Sequence, residues 1–344
     1  MADPVEPSHP QAVWEASAIR APDLDGAVPV VAARAVPYRA GANRLQSLNI
    51  YLPLNGVTEA LVGRPVEALP AAGAFGPVRF QVHVHGGAWR DPMLDASSIE
   101  AAAALTFASP GASPLVAIAS LNYTLTQFPN HPGAPYDAVA DCHADPAREA
   151  VHPQHVRDVL DGLALLQTLG LDDGSFVLSA HSCGACIALQ AVMAGPAAFG
   201  LTDAAEPPVP AAFVGINGLY DLPGLVLGLG PAHEVNGHDY RVMLANAFGP
   251  DDRVWAAASP ARLPPAAIAE RVAQGKAPRL AYLAQSPDDQ LVPMEQLRRL
   301  TGNLRRVDGL QVHEGRCGGK HSEPWQRGVI LRDAVGEALR LLDG

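Results

Sequence analysis

Short runs of β-branched and apolar residues alternate with longer stretches of helical period along most of the chain. That alternation predicts a mostly parallel sheet covered by helices, the α/β class. Strands are expected at residues 30–36 and 48–52, an antiparallel start at one edge. Residues 54–77 are rich in Gly, Pro and Ala and read as a surface insertion. From 78 to 85 apolar and polar positions alternate with period two and stop at Gly86-Gly87, a strand running into a glycine turn. Residues 115–121 form a compact run expected to be a buried strand. Over 155–169, Val156, Val159, Leu160, Leu163 and Leu166 share one helical face, which predicts a helix packed on the sheet.

Residues 176–179 read as a short strand, and 183–193 as a helix whose Gly184, Ala185 and Ala188 permit close approach to the sheet. Further strands are expected at 211–216 and 280–284, a weaker one at 310–313, and a closing helix over 324–342. Between 219 and 277 the pattern is irregular and rich in Pro, Gly and Ala. This stretch is expected to be a cap over the sheet within one domain spanning 1–344. No repeat occurs at solenoid or propeller periods.

Composition narrows the partners. Hydrophobic residues make up 48% of the 344 and charged ones 17%, enough apolar material for a sizeable core. The net charge of −11, with acidic residues scattered, speaks against nucleic acid or an anionic membrane as partner. A small-molecule substrate is the expected one. Met1-Ala2-Asp3-Pro4-Val5-Glu6-Pro7 has neither the basic region nor the apolar core of a secretory signal. No apolar run approaches the roughly 18–20 residues of a spanning helix. Four irregularly placed cysteines do not make a disulfide scaffold, so a reducing compartment, the cytoplasm, is expected.

Chemistry concentrates at Ser179-Ala180-His181-Ser182-Cys183-Gly184, between a predicted strand and a predicted helix. A sharp strand-to-helix turn crowds the positions two before and two after the serine, where only Gly or Ala fits. Ala180 and Gly184 occupy them, which marks Ser182 as a candidate nucleophile. A second element, His85-Gly86-Gly87-Ala88-Trp89, follows a strand upstream of the serine. Hydrolysis of an ester or amide passes through an oxyanion that needs fixed donors in a dry site. The amides of Gly87, Ala88 and Cys183 are the candidates, with His85 and Gly86 supporting the turn and Trp89 expected as an aromatic wall for substrate.

The remaining triad members should follow as acid, then histidine. Ser286-Pro287-Asp288-Asp289-Gln290-Leu291-Val292-Pro293 offers Asp289, with Asp288 in competition. Gly318-Gly319-Lys320-His321-Ser322 places His321 in a loop before the last helix, whereas His313 falls inside a strand. Arrival of all four elements in order favours a serine hydrolase without metal or cofactor. On this scheme only the backbone N–H of Cys183 is used, so Cys183→Ala is expected to keep most activity. Two other classes compete. Cys183-Gly184-Ala185-Cys186 is a C-x-x-C pair, and with Cys317 and His321 forms a nominal zinc set. A binding module on a hydrolase scaffold is the other, and would be expected to lack part of the triad.

The chain resembles the kynurenine formamidase (arylformamidase) branch of the α/β-hydrolases, especially the fungal type, from about residue 35 onward. The resemblance is carried by His85-Gly86-Gly87-Ala88-Trp89-Arg90-Asp91-Pro92, Leu121-Asn122-Tyr123, Gly218-Leu219-Tyr220-Asp221-Leu222 and Asp289-Gln290-Leu291-Val292-Pro293. It implies the α/β-hydrolase fold and metal-free hydrolysis of N-formyl-L-kynurenine to L-kynurenine and formate. Ser182, Asp289 and His321 would take the triad roles, and the turn from Gly86 to Trp89 the oxyanion role. The chain departs from the family pattern at Ala180, at Cys183 and in having no Arg after Tyr123. Related alternatives are a carboxylesterase and a natural-product hydrolase or thioesterase.

Overall fold

A computed structural model describes residues 12–69, 79–109, 115–227, 230 and 233–343. Among these residues nine strands form one sheet: β1 Glu15–Arg20, β2 Ala27–Pro37, β3 Ser47–Pro53, β4 Arg79–Val84, β5 Leu115–Leu121, β6 Phe176–His181, β7 Ala212–Ile216, β8 Leu280–Ala284 and β9 Gln311–Gly315. Their spatial order is β1-β2-β3-β5-β4-β6-β7-β8-β9. The first three pair antiparallel down to β5, and every pair from β5 to β9 is parallel. This is the α/β-hydrolase fold, and the antiparallel edge and parallel body match the expectation.

Among the described residues ten α-helices connect or follow the strands: α1 Glu100–Phe107, α2 Gln154–Thr168, α3 Cys183–Leu189, α4 Leu222–Leu227, α5 Gly237–Phe248, α6 Asp252–Ala258, α7 Pro265–Ala273, α8 Met294–Leu304, α9 Glu323–Arg327 and α10 Val329–Asp343. Because the parallel strands alternate with helices on both sides, the core has two faces. One is packed under α2, α3 and α8 and includes Val82, Leu163, Ile187 and Leu300. The other, under α1 and α10, includes Ile118, Val214, Leu331 and Val335. Helix α2 is the clearest product of its pattern: Val156, Val159, Leu160, Leu163 and Leu166 are all buried.

Several elements differ from their patterns. Strand β1 is absent from the sequence reading because Glu-Ala-Ser-Ala-Ile-Arg shows little β-branched character; pairing with β2 creates it. The stretch 54–69 is less superficial than its composition implies, since two 3₁₀ turns bury Leu61 and Val66. Residues 70–77 of that insertion, Val78 of the next strand and residues 1–11 lie outside the described residues. The helix expected over 183–193 changes to a π-helical turn at Gln190–Ala194. The closing helix is two helices, because Gly328 adopts φ +77° between α9 and α10 and its Cα lies against the Ala101-Ala102 backbone of α1.

Strand order sets where a ligand can sit. The chain leaves β4 toward β5 on one side, then returns to β6 on the other. Such a reversal opens a crevice beyond the carboxyl ends of the strands. The loops after β4 and β6 meet there, and both carry candidate residues.

Candidate active site

Ser182 sits at the bend between β6 and α3 with φ +54° and ψ −128°, a conformation that L-residues rarely adopt. The surroundings force it. A Cβ on Gly184 would lie 2.3 Å from the His85 carbonyl oxygen and 2.4 Å from that of Val84, so the helix can follow the strand this closely only with glycine. Gly86 is under a similar restriction, since a Cβ there would lie 2.8 Å from His181 Nδ1 and 3.0 Å from Ser182 Cβ. Strain of this type persists where packing over-determines it.

Two loops complete a chain of hydrogen bonds. The Ser182 hydroxyl lies 2.9 Å from His321 Nε2, and His321 Nδ1 lies 2.7 Å from Asp289 Oδ2. Asp289 is only 3% exposed. Its other oxygen, Oδ1, accepts the amides of Leu291 and Val292 at 2.8 Å each, and Gln285 Nε2 donates to Oδ2 at 3.0 Å. The spacing in Asp289-Gln290-Leu291-Val292 therefore fixes the carboxylate by wrapping the following backbone around it. Asp288 is exposed, and its backbone amide donates to Ser286 Oγ at 3.1 Å. His313, on β9, stacks on Tyr282 and pairs with Glu337. The structure thus brings Asp289 and His321 to Ser182, and neither competitor.

The loop bearing His321 is pinned from three sides. Ser286 Oγ donates to the Gly319 carbonyl at 2.6 Å, and the His321 amide donates to Gln290 Oε1 at 3.1 Å. His181 Nε2 donates to the His321 carbonyl at 2.9 Å. Burial, then the neighbouring rings of His321 and His83, push the His181 pKa well below the usual histidine range, so this ring is neutral. Its role was not read from the sequence. The only available signal was its place beside the serine.

The turn after β4 is braced from beneath. The Tyr123 hydroxyl donates to the Gly86 carbonyl at 2.6 Å, its ring stacks on His85 at 4.5 Å, and the Thr126 amide holds the Trp89 carbonyl at 2.8 Å. Gly87, Ala88 and Trp89 all have positive φ. Among the described residues the amides of Gly87, Ala88 and Cys183 donate to no carbonyl. Gly87 and Ala88 line the cavity in front of Ser182, and Cys183 follows the serine directly in the chain.

Two expectations need correction. Trp89 is not a cavity wall: its indole is fully buried, edge-on to Phe248 at 5.1 Å, because φ +60° turns the side chain into the core. The aromatic surface near the serine comes instead from Phe128, Tyr240 and Trp325. Trp325 lies one helical turn beyond His321, a spacing that could have flagged it. The second correction concerns Cys183, whose thiol accepts the Trp89 amide at 3.2 Å and contacts the Tyr123 hydroxyl at 3.4 Å. Removing that sulfur leaves a buried N–H unpaired at the turn, at a penalty of about 1–3 kcal/mol. Cys183→Ala is therefore expected to lower kcat several-fold to a hundredfold, and Cys183→Ser to restore much of it. Parallel rate and thermal-unfolding measurements check this.

Burial pushes the Cys183 thiol up to about 11 and that of Cys317 up to about 12, and holds that of Cys186 well above its usual value, so none is held as a thiolate. Among the described residues no group of three or more His, Cys, Asp and Glu has the geometry to hold a metal ion. No described helix is long and apolar enough to cross a membrane.

Ser182 and His321 open into a cavity of about 330 Å³. Its walls include Phe128, Leu219, Tyr240, Met243 and Trp325, and Arg90 stands at its edge. The segment before and at the start of α5 is tied to the loop carrying Asp289. His233 Nε2 donates to the Asp289 carbonyl at 2.9 Å, Asn236 Nδ2 to that of Gln290 at 3.2 Å, and the Tyr240 hydroxyl to that of Leu291.

No family model matches the chain. Among curated proteins it is 33% identical over 266 residues to the kynurenine formamidase-like hydrolase fscH of Fusarium equiseti, covering 76% of this chain and 83% of that protein. It is 28% identical over 257 residues to the kynurenine formamidase avaC of Aspergillus versicolor, covering 72% and 83%. Among solved structures, an inhibited esterase B from Lactobacillus rhamnosis superposes with a TM-score of 0.58 at 14% identity, over 93% of this chain and 88% of that one. The structural likeness carries the fold, and the fungal relative carries the family. The chain belongs to the kynurenine formamidase-like hydrolases, enzymes of the α/β-hydrolase fold that act on an amide or ester bond.

Proposed function

We propose that the protein is a serine hydrolase of aryl formamides, with N-formyl-L-kynurenine as substrate and L-kynurenine and formate as products. The observation that carries this reading is the unbroken relay Ser182–His321–Asp289 facing an aromatic-lined cavity. The names of the two fungal relatives support the choice of substrate. His321 takes the Ser182 proton as Oγ attacks the formyl carbon. Asp289 holds the Nδ1–H tautomer and stabilises the imidazolium. The amides of Gly87, Ala88 and Cys183 receive the oxyanion. His321 then protonates the departing aniline nitrogen, and water, activated by the same imidazole, releases formate from the serine ester. Residues 219–277 act as a cap, with Leu219, Tyr240 and Met243 supplying wall to the aryl leaving group.

Formate release from N-formylkynurenine tests the reading. The wild type is expected to turn it over faster than short p-nitrophenyl esters. Good ester turnover with no formate release would move the assignment to a carboxylesterase.

A further inference from the structure

Arg90 follows the oxyanion turn directly and lines the same cavity as Ser182. Its guanidinium carbon lies over the Phe128 ring, 3.9 Å from the ring centre. Its Nε is buried without a hydrogen-bond acceptor, and among the described residues no carboxylate pairs with it. The nearest opposing charges, Asp239 and Asp91, act on it only at a distance while burial works against its charge. Asp91 is otherwise engaged: its Oδ1 accepts the Met93 amide at 2.9 Å and lies 3.5 Å from His131 Nε2. Elsewhere, half-buried arginines of this protein have partners, as Arg262 and Arg299 do in Asp221.

An arginine cannot shed its charge, and its planar fork matches a carboxylate. A guanidinium held over an aromatic ring, lining the same cavity as the reacting serine and with its Nε short of an acceptor, is a preformed anion site. We infer that Arg90 receives a carboxylate on the leaving-group side of the substrate, so that the enzyme selects aryl formamides bearing an anionic amino-acid tail over those without one. The inference rests on the aryl-formamidase reading and deepens it. The formyl group itself is neutral and too small to reach such a site, so the tail of the leaving aniline is the part that meets Arg90.

Calorimetric binding of L-kynurenine and of kynuramine, which lacks only the carboxylate, isolates this contact. The wild type is expected to prefer kynurenine by about tenfold to a hundredfold, the range for one charged hydrogen-bonded contact. In Arg90→Gln the ratio should fall to about one. Arg90→Lys should restore part of it, since it keeps the charge without the fork. Thermal unfolding of both variants separates lost binding from lost fold, and the wild-type comparison needs no variant at all. Equal affinity for the two ligands in the wild type, binding of neither, or a ratio unchanged in Arg90→Gln each overturns the inference. Formate release is a separate readout. A carboxylate preference without it would refute the formamidase reading alone.

Discussion

Replacing Ser182 by alanine is expected to lower kcat by about 10⁴–10⁶, with little change in the affinity for product. The size follows from how the site is built. The other hydroxyls at the cavity are engaged elsewhere, Ser322 with Gln326 and Tyr240 with the Leu291 carbonyl, and the thiol next in sequence points away, into a bond with the Trp89 amide. His321→Ala should cost a similar factor, because among the described residues no second ring is hydrogen-bonded to the serine. His181 is neutral, and its Nε2 is committed to the carbonyl of His321. The double variant should be no worse than either single one, since the two residues act as a unit. Single-turnover kinetics on all three proteins check this. A loss that multiplied in the double variant would mean that serine and histidine act in separate steps.

Acidification should unfold the protein well above the carboxylate range. Burial lowers His83 and His155 to about 3, His152 to about 4 and His181 well below its usual value. A histidine whose folded pKa is depressed binds its proton more readily in the unfolded chain. Its contribution to stability is therefore complete above about pH 6.5 and is lost as pH falls from there toward the folded value. Each group adds a slope of up to about 1.4 kcal/mol per pH unit, so four approach about 5 kcal/mol per unit against a typical total of about 5–15 kcal/mol. Asp158 works in the opposite direction, its pKa raised by burial, but it is one group against four. Urea midpoints are expected to fall steeply between pH 6.5 and 5. His155→Phe should flatten the slope by about one histidine's worth, since neither ring nitrogen of His155 has a partner. A midpoint constant down to pH 5 would show that these rings are solvated.

The fold was legible wherever local pattern and tertiary role coincide. Helix α2 and the strands β5 and β8 fall where periodicity and compact apolar runs put them. Strand β1 was not legible, because its conformation comes from β2 rather than from its own residues. The candidate site was legible at the positions where chemistry restricts residue type: the serine, its flanking small residues, the glycine turn, and the acid and histidine in chain order. What could not be read was side-chain direction. Trp89 follows the turn as a wall residue would, yet its positive φ sends it inward. Phe128 reaches the cavity from a segment that the sequence gives no reason to bring there. Cys183 looked incidental because a sulfur acceptor for a backbone N–H leaves no mark in sequence.

The central claim is that Ser182 is the nucleophile, its hydroxyl activated by His321 on a strained bend. Incubation with a serine-reactive fluorophosphonate, which phosphonylates an activated hydroxyl with loss of fluoride, followed by mass spectrometry of the digested protein, tests it most directly. The account predicts one stoichiometric adduct on the peptide carrying Ser182, formed at a rate that collapses in His321→Ala. An unlabelled Ser182 in folded protein, or an adduct on Cys183 or another residue instead, would contradict it.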